Sequence, residues 1–421
     1  MDVRSARPSR RGVLTGAAVV GAAGLGASGV ALAGRGVSSA SAVARTVAFH
    51  GPKQAGIITP AQDQLVFAAL DVTTTDAGAL ADVLARWGEA VATMTTGSAL
   101  GGVAGLGGAA DEPPTDTGEA HELAAANLTV TLGYGPSLFD GRFGLQDKRP
   151  AALEELPVLP GEQLDPTKCG GDLCLQACAD DPQVAFHAIR NLVRIGRGVI
   201  AVRWMQLGFG RTSTTSTTQS TPRNLMGFKD GTANVRAEDT SDLQDYVWVG
   251  GTGGPAVDQE WMRGGTYLVA RRIRMLIEAW DRATLGEQER VIGRAKVSGA
   301  PLSGTDEFDA LDLDATGSAG KPVIDAAAHV RLAAPANHGG RKLLRRGYSY
   351  TDGLDLVTGQ LDAGLFFICF QNDPENQFVA IQRSLGSEDG LTEYLKHTGS
   401  ALFACPPGIV EGEVWGQSLF G

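Results

Sequence analysis

"DLCLQACADDPQVAFHAIRNLVRIGRGVIAVRWMQLGFG", residues 172–210, decides the fold. Its opening alternates apolar and polar side chains, as a strand does whose residues point to opposite faces. Residues 172–178 therefore read as a strand, with Cys174 and Cys178 on one face and Leu173 and Leu175 on the other. Asp181 and Pro182 then offer a cap and a first turn, and apolar residues recur at helical spacing as far as Gly196. "GVIAVRWMQLGFG" (198–210) is a strand again.

Working outward, "QLVFAALDV" (64–72) and "LTVTLGYG" (128–135) are strands on either side of a helical "GALADVLARWGEAVATM" (78–94). Strand, helix, strand, strand, helix, strand is the ferredoxin-like order. The second half repeats it in outline. "TYLVARRIRMLIEAW" (266–280) opens as a strand, "GEQERVIGRA" (286–295) is helical, "GLFFICFQN" (364–372) is a buried strand, and "ENQFVAIQRSLG" (375–386) is a second helix. Two such halves with their sheets laid together give an α+β sandwich or barrel, although no residue-level repeat links them. Residues 101–120, 211–224 and 304–322 are rich in Gly, Ser, Thr and Asp and read as loops.

A chain of 421 residues exceeds one small core and calls for two domains or one large two-part domain. A net charge of -11 argues against a nucleic-acid partner, because phosphate binding needs clustered cations. The first 44 residues differ in kind. Ser9-Arg10-Arg11-Gly12-Val13-Leu14, a weakly apolar Ala/Gly core and Ala42-Val43-Ala44 read as a twin-arginine export signal with its cleavage site. Three segments follow: a signal at 1–44, an N-terminal half at 45–222 and a C-terminal half at 223–421. The expected destination is extracellular, cell-envelope or periplasmic, with no stable membrane insertion once the signal is removed; a homo-oligomer is left open. Gly24, Gly26 and Gly29 match a dinucleotide fingerprint, but no strand precedes them. Cys169, Cys174 and Cys178 have spacings that fit neither a zinc ribbon nor a common iron–sulfur run, and the chain holds no C-x-x-C-H for covalent haem.

"NLMGFKDGTAN" (224–234) sets Asp230 before Gly231, which taken alone is a surface turn. Of six histidines, His187 sits within a helix, His338 in a turn-rich loop, and His329 at the end of a short ordered segment. "LLRRGYSYTDG" (343–353) reads as a strand end and turn with two arginines.

"GFKDGTAN" (227–234), "HVRLAAP" (329–335), "LLRRGY" (343–348), "GLFFICFQNDP" (364–374) and "GSALFACPPG" (399–408), in that order, carry a resemblance. The chain resembles the dye-decolorizing peroxidases, in particular their exported branch, which includes deferrochelatase-type members. The resemblance implies two ferredoxin-like halves, of the dimeric α+β barrel type, enclosing one non-covalent b-type haem per chain. It implies an enzyme that reduces hydrogen peroxide and oxidises a second donor such as a dye or phenol. Deferrochelatase activity, releasing iron from haem, is the alternative, and a non-catalytic haem carrier a weaker one.

Carried over residue by residue, the resemblance makes Asp230 the distal acid, Arg345 the distal arginine with Arg346 as its rival, and His329 the proximal ligand of the haem iron. A carboxylate can shuttle the peroxide proton, a permanent cation can stabilise the charge that develops as the O–O bond breaks, and an axial imidazole pushes electron density toward the iron. Asp373 is the candidate carboxylate behind His329, Arg331 the candidate partner of a haem propionate, and Phe367, with Leu365, a candidate wall of the distal pocket. Gly227 and Gly231 are expected to turn the backbone against the macrocycle. A carboxylic acid of ordinary pKa, about 3.9, stays competent as a base in acid, so activity is expected to be greatest at acidic pH. Lys53 stands where the family usually has histidine. Tyr394, Trp261 and Trp280 are candidate surface aromatics for electron transfer to bulky donors.

Overall fold

The protein was analysed as a computed structural model that describes residues 45–318 and 320–421. The export-signal expectation, residues 1–44, lies outside the described residues. Nine strands form the sheet: β1 (Gln64–Val72), β2 (Thr129–Tyr134), β3 (Leu173–Ala179), β4 (Ile200–Arg211), β5 (Thr266–Met275), β6 (Leu344–Arg345), β7 (Tyr348–Leu354), β8 (Leu361–Gln371) and β9 (Leu395–Cys405). Their order is β5-β9-β2-β3-β1-β4-β7-β8-β6, and β8 pairs back onto β5, closing an antiparallel barrel. Within the first half the order is β2-β3-β1-β4, and within the second it is β7-β8-β5-β9. The second, third, first and fourth long strands are thus neighbours in both.

Pleating divides the apolar residues between two cores. Leu65, Phe67 and Ala69 of β1 join Cys174, Cys178, Trp204, Phe366 and Phe403 inside the barrel, where Phe67 stacks on Trp204 with centroids 5.3 Å apart. The two cysteines share a face as their spacing predicts, and all five cysteines are free thiols. Gly133 of β2 faces this interior; a Cβ there would come within 2.8 Å of Cys174 Sγ and of Phe403 Cβ, so the barrel has no room for a side chain at that point.

Val66, Ala68 and Leu70 face outward, beneath helices α1 (Ala77–Met94) and α2 (Pro182–Ile195). Each helix starts on an aspartate whose carboxylate accepts two otherwise unpaired N–H groups, Asp76 from Gly78 and Ala79, and Asp181 from Gln183 and Val184. Trp87 of α1 is fully buried and its indole N–H donates to Leu192 O at 2.7 Å, fastening α1 to α2.

The seams between the halves are short. β4 meets β7 through Phe209 and Arg211, and β2 meets β9 at Tyr134 and Ala404. Gln54 reinforces the second seam. Its Oε1 accepts the Leu132 N–H at 2.8 Å, and its Nε2 donates to Leu132 O and Pro406 O, each at 2.9 Å. In the second half the helices are shorter: α3 (Leu285–Ile292), α4 (His329–Leu332) and α5 (Ala380–Glu388), the last preceded by a π-helical turn at Glu375–Val379. Strands β7 and β9 exceed what the alternation of the sequence showed. Among the described residues no helix is long and apolar enough to cross a membrane.

Candidate active site

The 224–234 segment is a compact turn held from several sides. Asn224 accepts the Met226 N–H on Oδ1 at 3.0 Å and donates from Nδ2 to Asp230 Oδ2 at 3.3 Å. Asp230 Oδ1 accepts from Arg345 Nη1 at 2.7 Å, so the carboxylate is fixed at both oxygens. Outside the turn, Glu307 pairs with Lys229 and accepts from Thr232 Oγ1 at 3.1 Å, gripping the residues on either side of Asp230. Burial works to raise the Glu307 pKa, but the hydrogen bonds from Lys229, Thr221 and Thr232 hold it below the usual carboxylate range.

The two glycines allow close protein contacts at the turn. Gly231 has φ +93° and lies against the Ser213–Thr214 backbone, where a Cβ would stand 2.8 Å from Ser213 Cα. Gly227 has φ +83° and faces the Lys296 side chain. The positive φ angles let the turn pack against the Ser213–Thr214 backbone and the Lys296 side chain.

Arg345 and Arg346 are separated by the pleat, which sends successive side chains to opposite faces. Arg345 meets Asp230. Arg346 is fully buried and donates to Thr59 O and to Gln62, tying the C-terminal half to the N-terminal one.

His329 opens α4, and its Nδ1 lies 2.6 Å from Asp389 Oδ2. This corrects the expectation for Asp373, which instead caps the following helical turn, accepting from the Asn376 N–H at 3.2 Å and Nδ2 at 2.8 Å. Asp389 is buried where α5 ends, and its other oxygen accepts the Leu391 N–H at 2.8 Å. The His329 side chain is 34% exposed, whereas that of Asp389 is sealed from solvent. Burial opposes its charged form, but the Asp389 carboxylate outweighs burial and raises the pKa; Asp230 adds to that effect and Arg345 subtracts from it. His329 therefore lies near enough to the Asp230–Arg345 pair for both charges to act on it.

With Nδ1 held by a carboxylate, Nε2 is the ring nitrogen left for a ligand, the arrangement that fixes the tautomer of an iron-binding histidine. Among the described residues no three His, Cys, Asp or Glu side chains gather as a bare-ion site. A lone imidazole suits an iron that brings its own equatorial ligands, as haem does.

The remaining expected residues fall around this centre in different ways. Arg331 donates to the carbonyls of Ile324, Asp325 and Leu313, pinning the 313–325 segment. Phe367 is half-buried on β8, on the same face as Leu365, and its ring lies 6.3 Å from Phe378. Lys53 donates to Gly264 O at 2.6 Å and sits 4.2 Å over the Trp248 ring. Of the aromatics, Tyr394 is half-buried, and Trp280 is 1% exposed behind it with centroids 5.0 Å apart, which removes Trp280 from the surface set. Trp261 stacks on Phe139 and donates to Lys148 O. Asp389 and Asn224 escaped the sequence reading. Asn224 stood inside the quoted motif, whereas Asp389, sixty residues from His329, carried no local mark.

Two family models match in order along the chain, "Dyp-type peroxidase, N-terminal" over residues 54–210 and "Dyp-type peroxidase, C-terminal" over residues 221–410. A curated relative named deferrochelatase from Yersinia pestis bv. Antiqua is 39% identical over 376 residues, covering 88% of this chain and 84% of its own length. One from Escherichia coli is 38% identical over 385 residues, covering 88% and 86%. Among solved structures, a DyP-type peroxidase from Streptomyces coelicolor superposes with a TM-score of 0.80 at 39% identity, covering 90% of this chain and 97% of its own. Ferric DtpA from Streptomyces lividans superposes with a TM-score of 0.79 at 39% identity and the same coverage. With both family models filled by one continuous barrel, the chain belongs to the Dyp-type peroxidase family.

Proposed function

We propose that this protein is a haem b peroxidase, with two ferredoxin-like halves enclosing one non-covalent haem. The observation that carries the reading is the Asp230–Arg345 pair, whose charges act on a histidine whose Nδ1 is held by Asp389. The like strand order of the two halves supports the fold reading. His329 Nε2 is the iron ligand, Arg331 the propionate partner, and Phe367 with Leu365 a wall of the pocket. When bound, the haem iron supplies the electrons that reduce peroxide. Asp230 takes the proton from one peroxide oxygen and returns it to the other, so that water leaves. Arg345 stabilises the negative charge that develops on the departing oxygen. Asp389 keeps the Nδ1 proton in place and makes His329 a more basic ligand. A carboxylate in the proton-shuttling role favours acid, and a rate that rises only above neutrality would contradict it. Export by the twin-arginine route rests on residues 9–14 and 42–44.

The test is the rate at which peroxide changes the absorption of the haem-loaded protein. Asp230→Ala and Arg345→Ala are each expected to slow it about 10²- to 10³-fold, with the ferric spectrum before peroxide retained. Unchanged rates in both variants would remove the pair from the chemistry. A second reading has support from the relatives named deferrochelatase: iron release with the porphyrin intact. Porphyrin fluorescence that grows when haem-loaded protein is incubated with an iron chelator would favour it. A carrier without chemistry would have no use for an acid and an arginine joined as Asp230 and Arg345 are.

A further inference from the structure

We propose that Asn234, the last residue of the 224–234 turn, is a positioning residue that sets where the Arg345 guanidinium stands by holding the Arg345 peptide group. The proposal rests on the peroxidase reading above. Asn234 Oδ1 accepts the Arg345 N–H at 2.7 Å, and Nδ2 donates to Arg345 O at 2.8 Å and to Thr214 O at 2.8 Å. One side-chain amide thus pairs with both backbone polar groups of Arg345, as a neighbouring strand would. The place calls for such a surrogate. β6 is two residues long and lies at the end of the sheet order, with only β8 paired to it. The opposite edge of Arg345 would otherwise carry a half-buried N–H and carbonyl without protein partners.

The geometry links this clamp to the chemistry. Asp230 and Asn234 belong to one turn, closed by the Asn234 N–H donating to Gly231 O at 3.2 Å. Gly231 allows that turn to lie directly on the Ser213–Thr214 backbone, and Asn234 Nδ2 anchors it to Thr214 O. Arg345 is therefore held at both ends by the same turn, its guanidinium by the Asp230 carboxylate at 2.7 Å and its peptide by the Asn234 amide. A tilt of the peptide is carried to the far end of a long side chain, and a misplacement of about 1 Å at a reacting group can cost about a hundredfold in rate.

A purely architectural asparagine would also cost stability when removed, so stability does not discriminate. Two other readouts do. The first is a double-mutant cycle on the peroxide-induced absorption change, using haem-loaded wild type, Asn234→Ala, Arg345→Ala and the double variant. Asn234→Ala is expected to slow the wild type about tenfold or more, and to slow the Arg345→Ala protein less than about twofold, because its effect runs through Arg345. The second readout needs no activity: amide hydrogen exchange at Arg345 should quicken in Asn234→Ala, with and without haem. Equal slowing in both backgrounds, or faster exchange with an unchanged rate, overturns the proposal. Should Asn234→Ala fail to fold, Asn234→Asp has the same shape, keeps the acceptor and loses the donor, and enters the same cycle. An Arg345→Ala protein as fast as wild type would instead sink the peroxidase role of Arg345, a failure distinct from that of the clamp, whose exchange signature would persist.

Discussion

Each half of the barrel carries a histidine–aspartate pair, and the two differ in what surrounds them. In the N-terminal half His187 Nε2 lies 2.8 Å from Asp116, with both side chains sealed from solvent. In the C-terminal half His329 Nδ1 lies 2.6 Å from Asp389, the acid equally sealed but the ring 34% exposed. The Asp116 carboxylate also accepts the N–H groups of Leu100 and Gly118, so it organises a loop against α2. The outer sheet face of that half is apolar and flush with its helices, with Val66, Leu70, Leu175, Ala188 and Leu192 all buried. The matching face of the other half bears Arg271, Phe367, Ser400 and His397 under a shorter helix. The same strand order therefore carries an apolar buried face in one half and a face with buried polar and charged side chains in the other. A histidine beside an aspartate says little by itself; an open second nitrogen says more.

Removing the two histidines should widen that contrast most. His329→Ala is expected to purify without bound haem, whereas His187→Ala should keep the haem spectrum and lose stability only. Haem retained at wild-type content in His329→Ala would end the assignment of the ligand. The acids should separate next. Asp389→Asn is expected to weaken haem binding or peroxide reactivity about 10- to 100-fold, read by haem transfer to an acceptor protein. Asp116→Ala should cost about 1–3 kcal/mol in urea unfolding, because it leaves His187 and two N–H groups without their acceptor, with no change at the haem.

The smallest effect concerns acid. Burial, with the nearby Arg271 charge adding to it, pushes the His397 imidazole down to about 3 from an ordinary value of 6.5. Arg271 is itself paired with Glu162, and Gln382 is the other neighbour of the ring. The unfolded chain takes up a proton below about 6.5 that the folded chain refuses until about 3, so stability falls as pH drops through that window, by about 2 kcal/mol at pH 5. His397→Gln should lose less stability than wild type between pH 7 and pH 5. Equal losses would place the acid sensitivity elsewhere, and the two halves would then not differ in it.

The first half was largely legible because its signals are local. Alternation in 172–178, the Asp181–Pro182 start and the helical spacing that follows each bear on their own neighbours, and β3, α2 and β4 appear within a few residues of where they were read. The second half was read less completely. β9 was met only through the string "GSALFACPPG", since an apolar run fully buried on both faces shows no alternation. In the site, Asp230, Arg345 and His329 were found through family motifs, and their meeting in space is a property of the barrel. Asp389 was missed for Asp373 because nothing in a period or a turn records which of several downstream carboxylates will reach a histidine sixty residues away.

The seam that Gln54 closes bears on how the chain acquires this shape. Its contact with Pro406 joins residues 352 apart in sequence, so the ring cannot shut until nearly all of the strands exist. Loop-closure entropy is spent before such distant pairs stabilise anything, and folding of this topology is correspondingly slow. Until β9 arrives, β2 has an unpaired edge that another copy of the chain can occupy. The finished barrel hides that edge, and the hazard of aggregation therefore falls on the newborn chain rather than on the native protein.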